Sequence, residues 1–208
     1  MKKFVIVFLF TLFLALESVQ AQQSLCFDAG QVFSTFRFSG STGGKFKDFD
    51  SNVGGSYSLD YHFITAKGIF LRGGTGMRRA GATGSFEGLP LTWNLQYLDL
   101  SSGAGYIYSK FRFKPYVCAV PYFGYMLKAW QTIGSDNFDL KKDKVLNNLD
   151  FGLFLIPGVR VSLNDNIALY SEYKQMVGLA NIEKTSGQKL NNRGFVLNLG
   201  VAATITKQ

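Results

Sequence analysis

Ionisable side chains at alternating positions are the residues of this 208-residue chain whose types and spacing could do chemistry. His62 is the only histidine, and Asp60 precedes it by two residues, so both side chains point to the same side of an extended strand. A carboxylate beside an imidazole is the minimum equipment for acid–base catalysis. Five predicted strands contribute seven such side chains to one face, namely Asp60, His62, Arg72, Asp99, Arg160, Glu172 and Lys174.

The same seven residues also fit a purely structural network. Charges of both signs that share a narrow interior pair with one another, because an unpaired buried ion is costly. We expect this polar network to stabilise the fold, in preference to forming an active site or a path for ions or protons.

Other short motifs are too incomplete to predict a ligand site. The glycines of Gly40–Lys45 have the wrong spacing for a phosphate loop, and Gly74-Thr75-Gly76 lacks the third glycine of a dinucleotide fingerprint. No Cys/His cluster has the spacing of a zinc site. The sequence therefore predicts no catalytic residue, no cofactor and no metal, and a protein that is not an enzyme.

The N-terminus has the pattern of a secretory signal peptide. The basic pair Lys2-Lys3 precedes the apolar run Phe4–Leu16, and Val19-Gln20-Ala21 supplies small residues at positions −3 and −1 of a cleavage site. The apolar run is shorter than the ~20 residues of a membrane-spanning helix. We predict a signal peptide over residues 1–21, cleavage between Ala21 and Gln22, and one exported domain over residues 22–208.

Apolar residues alternate with polar or small residues through most of the mature chain. In Arg193–Thr206, leucine, valine, alanine and isoleucine occupy every second position after Phe195, as they would on one face of a strand. No mature segment shows a sustained helical period. The predicted strands are Phe27–Phe38, Gly54–Phe63, Gly68–Arg78, Leu95–Tyr108, Phe113–Lys128, Leu149–Ser162, Ile167–Gly178 and Arg193–Thr206.

The predicted connections alternate between long and short. The short ones are Ile64–Lys67, Ser109–Arg112 and Leu163–Asn166. The long ones are Ser39–Val53, Ala80–Asn94, Ala129–Asn148 and Leu179–Asn192. Alternation within strands fits either a soluble barrel or a membrane barrel, but long loops at one end and short turns at the other are typical of outer-membrane barrels. The sequence predicts an all-β, eight-stranded, antiparallel, up-and-down transmembrane β-barrel.

The composition agrees with a membrane barrel and excludes several other classes. Hydrophobic residues make up 47% of the chain, yet mean hydropathy is only +0.07 and the net charge is +8. A polytopic helical membrane protein would be far more apolar, and a disordered chain would lack the 15% aromatic content. Only every second residue of a barrel strand faces lipid, which lowers the average hydropathy.

Two further expectations follow from the predicted barrel. Cys26 and Cys118 fall nearly across the barrel from each other, so we do not expect a disulfide between them. His62 falls beside the short turn Ile64–Lys67, whereas known barrel enzymes carry their catalytic groups near the outer rim.

Several segments resemble the Bacteroidetes outer-membrane β-barrel domain family, which includes PorT-like proteins. The resemblance covers about residues 28–206 and is carried by Tyr97-Leu98-Asp99-Leu100, Phe113-Lys114-Pro115-Tyr116, Pro121–Leu127, Asp150–Leu153 and Asn191–Leu197. It implies an eight-stranded barrel similar to those of OmpA and OmpX, in a family whose members mostly have no assigned activity. The end of the chain, Ile205–Gln208, departs from proteobacterial barrels because it lacks a terminal phenylalanine, which concerns the assembly signal and not the fold.

These observations predict an integral protein of the cell outer membrane with a structural, adhesion or secretion-accessory role. The expected partners are outer-membrane lipid and lipopolysaccharide, with envelope or secretion proteins as further candidates. We expect a monomer that binds no nucleic acid. In particular, the lysines Lys141, Lys142 and Lys144 of the third long loop are expected to help it associate with lipopolysaccharide phosphates or acidic glycans. Two alternatives stay open, a barrel-embedded enzyme acting on lipid or protein and a narrow channel for small solutes.

Overall fold

The computed structural model describes residues 21–39, 49–184 and 189–206, and it contains nine strands there. The strands are β1 (Ala21–Ser39), β2 (Asp50–Thr65), β3 (Ile69–Phe86), β4 (Leu89–Ile107), β5 (Phe113–Ile133), β6 (Asp136–Asp139), β7 (Leu149–Ser162), β8 (Ile167–Gly178) and β9 (Lys189–Thr206). The predicted signal peptide lies outside the described residues except for Ala21, which begins β1. Within the described ranges, no helix is both long enough and apolar enough to cross a membrane.

Eight of these strands close into a ring. Neighbours in the chain pair antiparallel from β1 through β5, β5 pairs with β7, and β7, β8 and β9 follow in order. The ring is closed by β1 and β9, which are in register from Gln23 opposite Thr206 to Ser39 opposite Lys189. The predicted eight-stranded, antiparallel, up-and-down barrel is confirmed.

The long connections are shorter than the sequence predicts. Ala80–Asn94 was expected to be a loop, but β3 and β4 stay paired as far as Phe86 opposite Leu89. The turn between them is Glu87-Gly88, and both residues have positive φ (50° and 83°), as in the two-residue turns that match the twist of a hairpin. The prediction fails here because the strands project beyond the wall, where neither face is consistently apolar and the period-two signal disappears.

The predicted loop Ala129–Asn148 also contains ordered strand. The end of β5 continues to Ile133, and β6 folds back on it with Trp130 opposite Asp139 and Ile133 opposite Asp136. The barrel thus has a short-turn end, at residues 66–68, 108–112 and 163–166, and a long-loop end at residues 87–88, 134–148 and 179–184 with the strand extensions that carry them.

The strand alternation separates the two faces of the wall. Side chains directed outward are apolar and exposed, such as Leu100 at 65% and Leu199 at 71%, and they occur on all eight strands. Side chains at the intervening positions are buried in the lumen, and many are polar, as Asp28, Glu172 and Asn198 illustrate. The barrel is therefore apolar outside and largely polar inside.

A buried apolar cluster covers the lumen at the long-loop end. Leu140, Leu146 and Ile182 come from the connections of that end, and they join Leu95 and Met126 of the wall. Their side chains are at most 6% exposed. The described connections at residues 134–148 and 179–184 are thus folded over the barrel mouth.

Three inward tyrosines each lie opposite a glycine of the neighbouring strand. The register pairs are Tyr116 with Gly158, Tyr122 with Gly152, and Tyr170 with Gly200. A Cβ atom added at Gly158 or Gly200 would lie within van der Waals overlap of the opposite tyrosine ring. These glycines make room for aromatic rings in a narrow lumen, an arrangement that also fixes strand register.

We expect Gly158→Ala to destabilise the barrel by about 1–3 kcal/mol, because the methyl group would displace the Tyr116 ring. The free energy of unfolding is measured by urea titration of the protein in detergent. The control is Gly73→Ala, since a Cβ there would meet its nearest atom at an ordinary 3.6 Å. Equal stability of the two variants would contradict the packing role of Gly158.

Candidate functional site

The structure places all seven residues singled out by the sequence in the lumen. Their exposed fractions run from 1% for His62 to 9% for Lys174. The alternation of strand side chains accounts for this placement, since a residue two positions from a lumen residue also faces the lumen. The seven do not form one cluster. They divide between two ion-pair networks, while His62 and Arg160 belong to neither.

The first network is centred on Arg72 of β3. Its Nη2 donates to Asp60 Oδ2 at 2.7 Å, and its Nη1 donates to Glu172 Oε1 at 2.5 Å. The Glu172 contact crosses the lumen from β3 to β8, two strands that are not neighbours in the ring. The Tyr116 hydroxyl donates to the same Glu172 oxygen at 2.6 Å. One guanidinium thus ties three strands together.

Lys174 extends this network to β1. Its Nζ lies 3.3 Å from Asp28 Oδ2 and 3.4 Å from Glu172 Oε2. Asn198 Nδ2 donates to Asp28 Oδ1 at 2.9 Å, and the Tyr170 hydroxyl donates to Asp28 Oδ2 at 3.2 Å. Three carboxylates and two cations therefore share the middle of the lumen.

The second network is centred on Arg78, which lies further along β3 toward the long-loop end. Its Nε donates to Asp99 Oδ2 at 2.7 Å, and its Nη2 donates to Asp150 Oδ2 at 3.2 Å. The guanidinium carbon lies 4.7 Å from the Tyr97 ring centre and 5.2 Å from that of Tyr122, so two aromatic faces add cation–π attraction.

Three charged members of these networks, Asp28, Arg78 and Asp150, are absent from the set that the sequence singled out. The signal was available in the alternation, because Arg78 has the same parity as Arg72 on β3 and Asp28 the same parity as Cys26 on β1. Asp150 stands at the start of β7, where only one residue of the strand precedes it. With so few strand residues before it, the alternating pattern is a weak guide to the face on which its side chain lies.

A small cavity separates the two networks. Its volume is about 50 Å³, and its walls include Asp28, Asp60 and Arg72 on one side and Arg78 and Asp99 on the other. This volume corresponds to a few water molecules at most. Between the two networks, the side chains of the described residues therefore fill the lumen almost completely, as an eight-stranded barrel is expected to allow.

The acid–base pair considered for His62 and Asp60 is not assembled. The Asp60 carboxylate accepts from Arg72 and from the Ser58 hydroxyl. The His62 ring instead packs against Phe70 at 4.9 Å and Tyr170 at 5.6 Å between ring centres, and its Nε2 has no hydrogen-bond partner within the described part of the chain. The two residues share a face without sharing a proton-transfer contact.

Other sequence expectations concern cysteine, metal and loop chemistry. Both Cys26 and Cys118 are buried and free. In the described ranges, no group of three or more metal-ligating side chains comes together. Of the three loop lysines, Lys142 and Lys144 are exposed, whereas Lys141 donates its Nζ to the backbone oxygens of Met126 and Leu127, both at 2.9 Å.

No protein-family model matches the chain, and no curated protein matches it in sequence. Among solved structures, a major outer membrane protein from Thermus thermophilus is similar with a TM-score of 0.54 and 13% identity, over 89% of this chain and 99% of that one. At this identity the similarity concerns the fold alone, and it agrees with the barrel described above.

Two further structures are similar at lower scores. The Neisserial surface protein A matches with a TM-score of 0.47 and 18% identity, over 86% of this chain and 97% of that one. The outer membrane protease OmpT from Escherichia coli matches with a TM-score of 0.44 and 8% identity, over 90% of this chain and 98% of that one.

We expect Arg72→Met to lower the free energy of unfolding by about 3–5 kcal/mol, because Asp60 would lose its ion pair with Arg72 while Asp28 and Glu172 would keep only Lys174. Urea titration in detergent measures the change. The control, Arg79→Met, removes a cation from the exposed outer face of the same strand and should change stability by no more than about 0.5 kcal/mol. A similar loss in both variants would show that the cross-lumen contacts are not what stabilises the barrel.

Proposed function

We propose that this chain is an integral outer-membrane β-barrel protein of a Gram-negative, Bacteroidetes-type bacterium, exported by its signal peptide and without catalytic activity. The observation that carries the proposal is the apolar outer surface of the closed barrel. Its exposed side chains include Phe27, Leu59, Leu100, Val117, Leu155, Leu169 and Leu199.

A surface of this kind is unfavourable in water and favourable in lipid. Soluble monomers seldom expose continuous apolar patches larger than a few hundred Å². A closed ring also satisfies its backbone hydrogen bonds internally, which a sheet in hydrocarbon requires. The eight ring strands have between 12 and 21 residues, more than the 9–11 needed to span a bilayer.

The filled lumen supports a structural role over a channel or an enzyme. Ion pairs cross it at two levels, the cavity between them holds only about 50 Å³, and the apolar cluster with Leu140, Leu146 and Ile182 covers the long-loop end. Among the described residues, such an interior offers neither a wide path for solutes nor a cleft for substrate. The surfaces that can meet a larger partner include the long-loop end.

The family resemblance supports a secretion-accessory, PorT-like role in particular. The segments that carry it are built into the wall, with Pro121–Leu127 inside β5 and Asp150–Leu153 at the start of β7. Because these residues form the wall, their resemblance indicates the same barrel architecture as in that family. The physiological partner is sought by crosslinking from the exposed long-loop end in whole cells, with enrichment of secretion components as the result that favours this role over adhesion.

A charge placed on the middle of the outer wall tests the membrane location. We expect Leu199→Arg to lower the free energy of unfolding in lipid vesicles by about 2–4 kcal/mol, because the guanidinium would enter the hydrocarbon of the bilayer. Ile205→Arg, at the end of the same strand, should lower the free energy of unfolding by only about 0–1 kcal/mol, since the new arginine would lie near the membrane surface. No difference between the two variants would contradict a lipid-facing wall.

The filled lumen predicts that the purified barrel carries no steady ionic current in a planar bilayer. The measurement is single-channel conductance in potassium chloride, with detergent-only additions as the control. Long-lived open states of uniform conductance would overturn the structural role and favour the channel.

A further inference from the structure

Arg160 of β7 is a buried cation without a counter-charge. It is 2% exposed, and its one hydrogen bond within the described chain runs from Nη2 to Ser24 Oγ, at 2.9 Å. Its Nε and Nη1 atoms have no hydrogen-bond partner among the residues that the structure describes. Since Nε carries one hydrogen and Nη1 two, three N–H groups of this guanidinium point at no acceptor.

The lumen carboxylates are all engaged elsewhere. Asp28, Asp60 and Glu172 lie within ion-pair distance of Arg72, and Asp99 and Asp150 lie within ion-pair distance of Arg78. Among the described residues, no carboxylate oxygen comes within 4.0 Å of the Arg160 guanidinium, whose charge is therefore not compensated by the chain.

The side chains around Arg160 are neutral or cationic. Lys114 lies opposite Arg160 on β5, close to the short-turn end, and is half-buried. Ser24 lies opposite His62, whose Nε2 also lacks a partner and is buried with the ring. Tyr170 of β8 connects Arg160 with His62, because it lies opposite Arg160 in register and its ring centre is 5.6 Å from that of His62.

We propose that Arg160, with Ser24 and His62, binds a small inorganic anion such as chloride or phosphate at the short-turn end of the lumen. A water molecule could accept the free N–H groups but would leave the charge uncompensated, and an uncompensated buried charge is strongly unfavourable. An anion would accept hydrogen bonds from the free N–H groups and would also compensate the charge, because hydrogen bonds between a guanidinium and an anion are charge-assisted. Lys114, half-buried beside the site, marks the side from which the ion enters.

The experiment follows the thermal unfolding midpoint of the barrel in uncharged detergent. Chloride or phosphate replaces a bulky organic sulfonate at constant ionic strength. We expect the midpoint of the unmodified protein to rise with anion concentration and to saturate. Arg160→Met should abolish this response, and in anion-free buffer it should be at least as stable as the unmodified protein, because it removes an unpaired charge. Arg79→Met on the outer face should keep the full response.

Three results would overturn the site. They are an unmodified protein whose midpoint is the same in every buffer, an Arg160→Met protein that keeps the saturable rise, and an Arg160→Met protein that is destabilised in anion-free buffer as strongly as Arg72→Met. The last result would mean that the chain itself compensates Arg160.

Two further measurements guard against a folding failure of Arg160→Met. Arg160→Lys keeps the charge but loses the planar set of donors, and it should raise the half-saturating anion concentration about tenfold, which corresponds to one charge-assisted hydrogen bond. Crystals of the unmodified protein grown in bromide should show anomalous scattering within hydrogen-bond distance of Arg160 Nη1. An empty position there in bromide-grown crystals would count against the proposal.

Discussion

The pairing of β1 with β9 is the constraint on which the rest of this structure depends. An open eight-stranded sheet would leave two edges with unpaired backbone groups, and those groups have no partner in hydrocarbon. Closing the ring from Gln23–Thr206 to Ser39–Lys189 satisfies them. It also converts a two-residue alternation into an inside and an outside, because every second side chain must then enter a narrow, enclosed space.

The enclosed space determines which residues the inner face can hold. Charges placed there have to pair across the lumen, and the pairs join strands that are far apart in the ring, as Arg72 of β3 and Glu172 of β8 do. The net stabilisation from such buried pairs is modest, but losing one partner is costly. Together with the tyrosine rings opposite Gly152, Gly158 and Gly200, they favour one strand register over its neighbours.

Arg160 differs from the other buried cations of the lumen in its electrostatic surroundings. The other buried cations in the described part of the lumen, namely Arg72, Arg78 and Lys174, each contact at least one carboxylate. Arg160 instead lies among Ser24, His62 and Lys114 near the short-turn end, so this end of the lumen is electropositive while the middle is slightly acidic. The net charge of the lumen side chains thus changes along the barrel axis, from positive at the short-turn end to slightly negative in the middle.

The sequence by itself determined the number of strands in the ring, their antiparallel order and the face on which each wall residue lies. It could do so because the period of a strand is two, and a one-residue shift would put Leu197 and Leu199 inside and Asn198 outside. It failed at Ala80–Asn94, where the strands extend beyond the wall and the alternation ends. Parity placed Asp60, His62 and Arg72 on one face. Only the tertiary structure decided that Asp60 contacts Arg72 and not His62, and that no carboxylate in the described part of the chain lies within ion-pair distance of Arg160. These outcomes depend on distances across the lumen between residues up to 136 positions apart in the chain, as in the Arg160–Ser24 contact, and a periodic pattern along one strand carries no information about such distances.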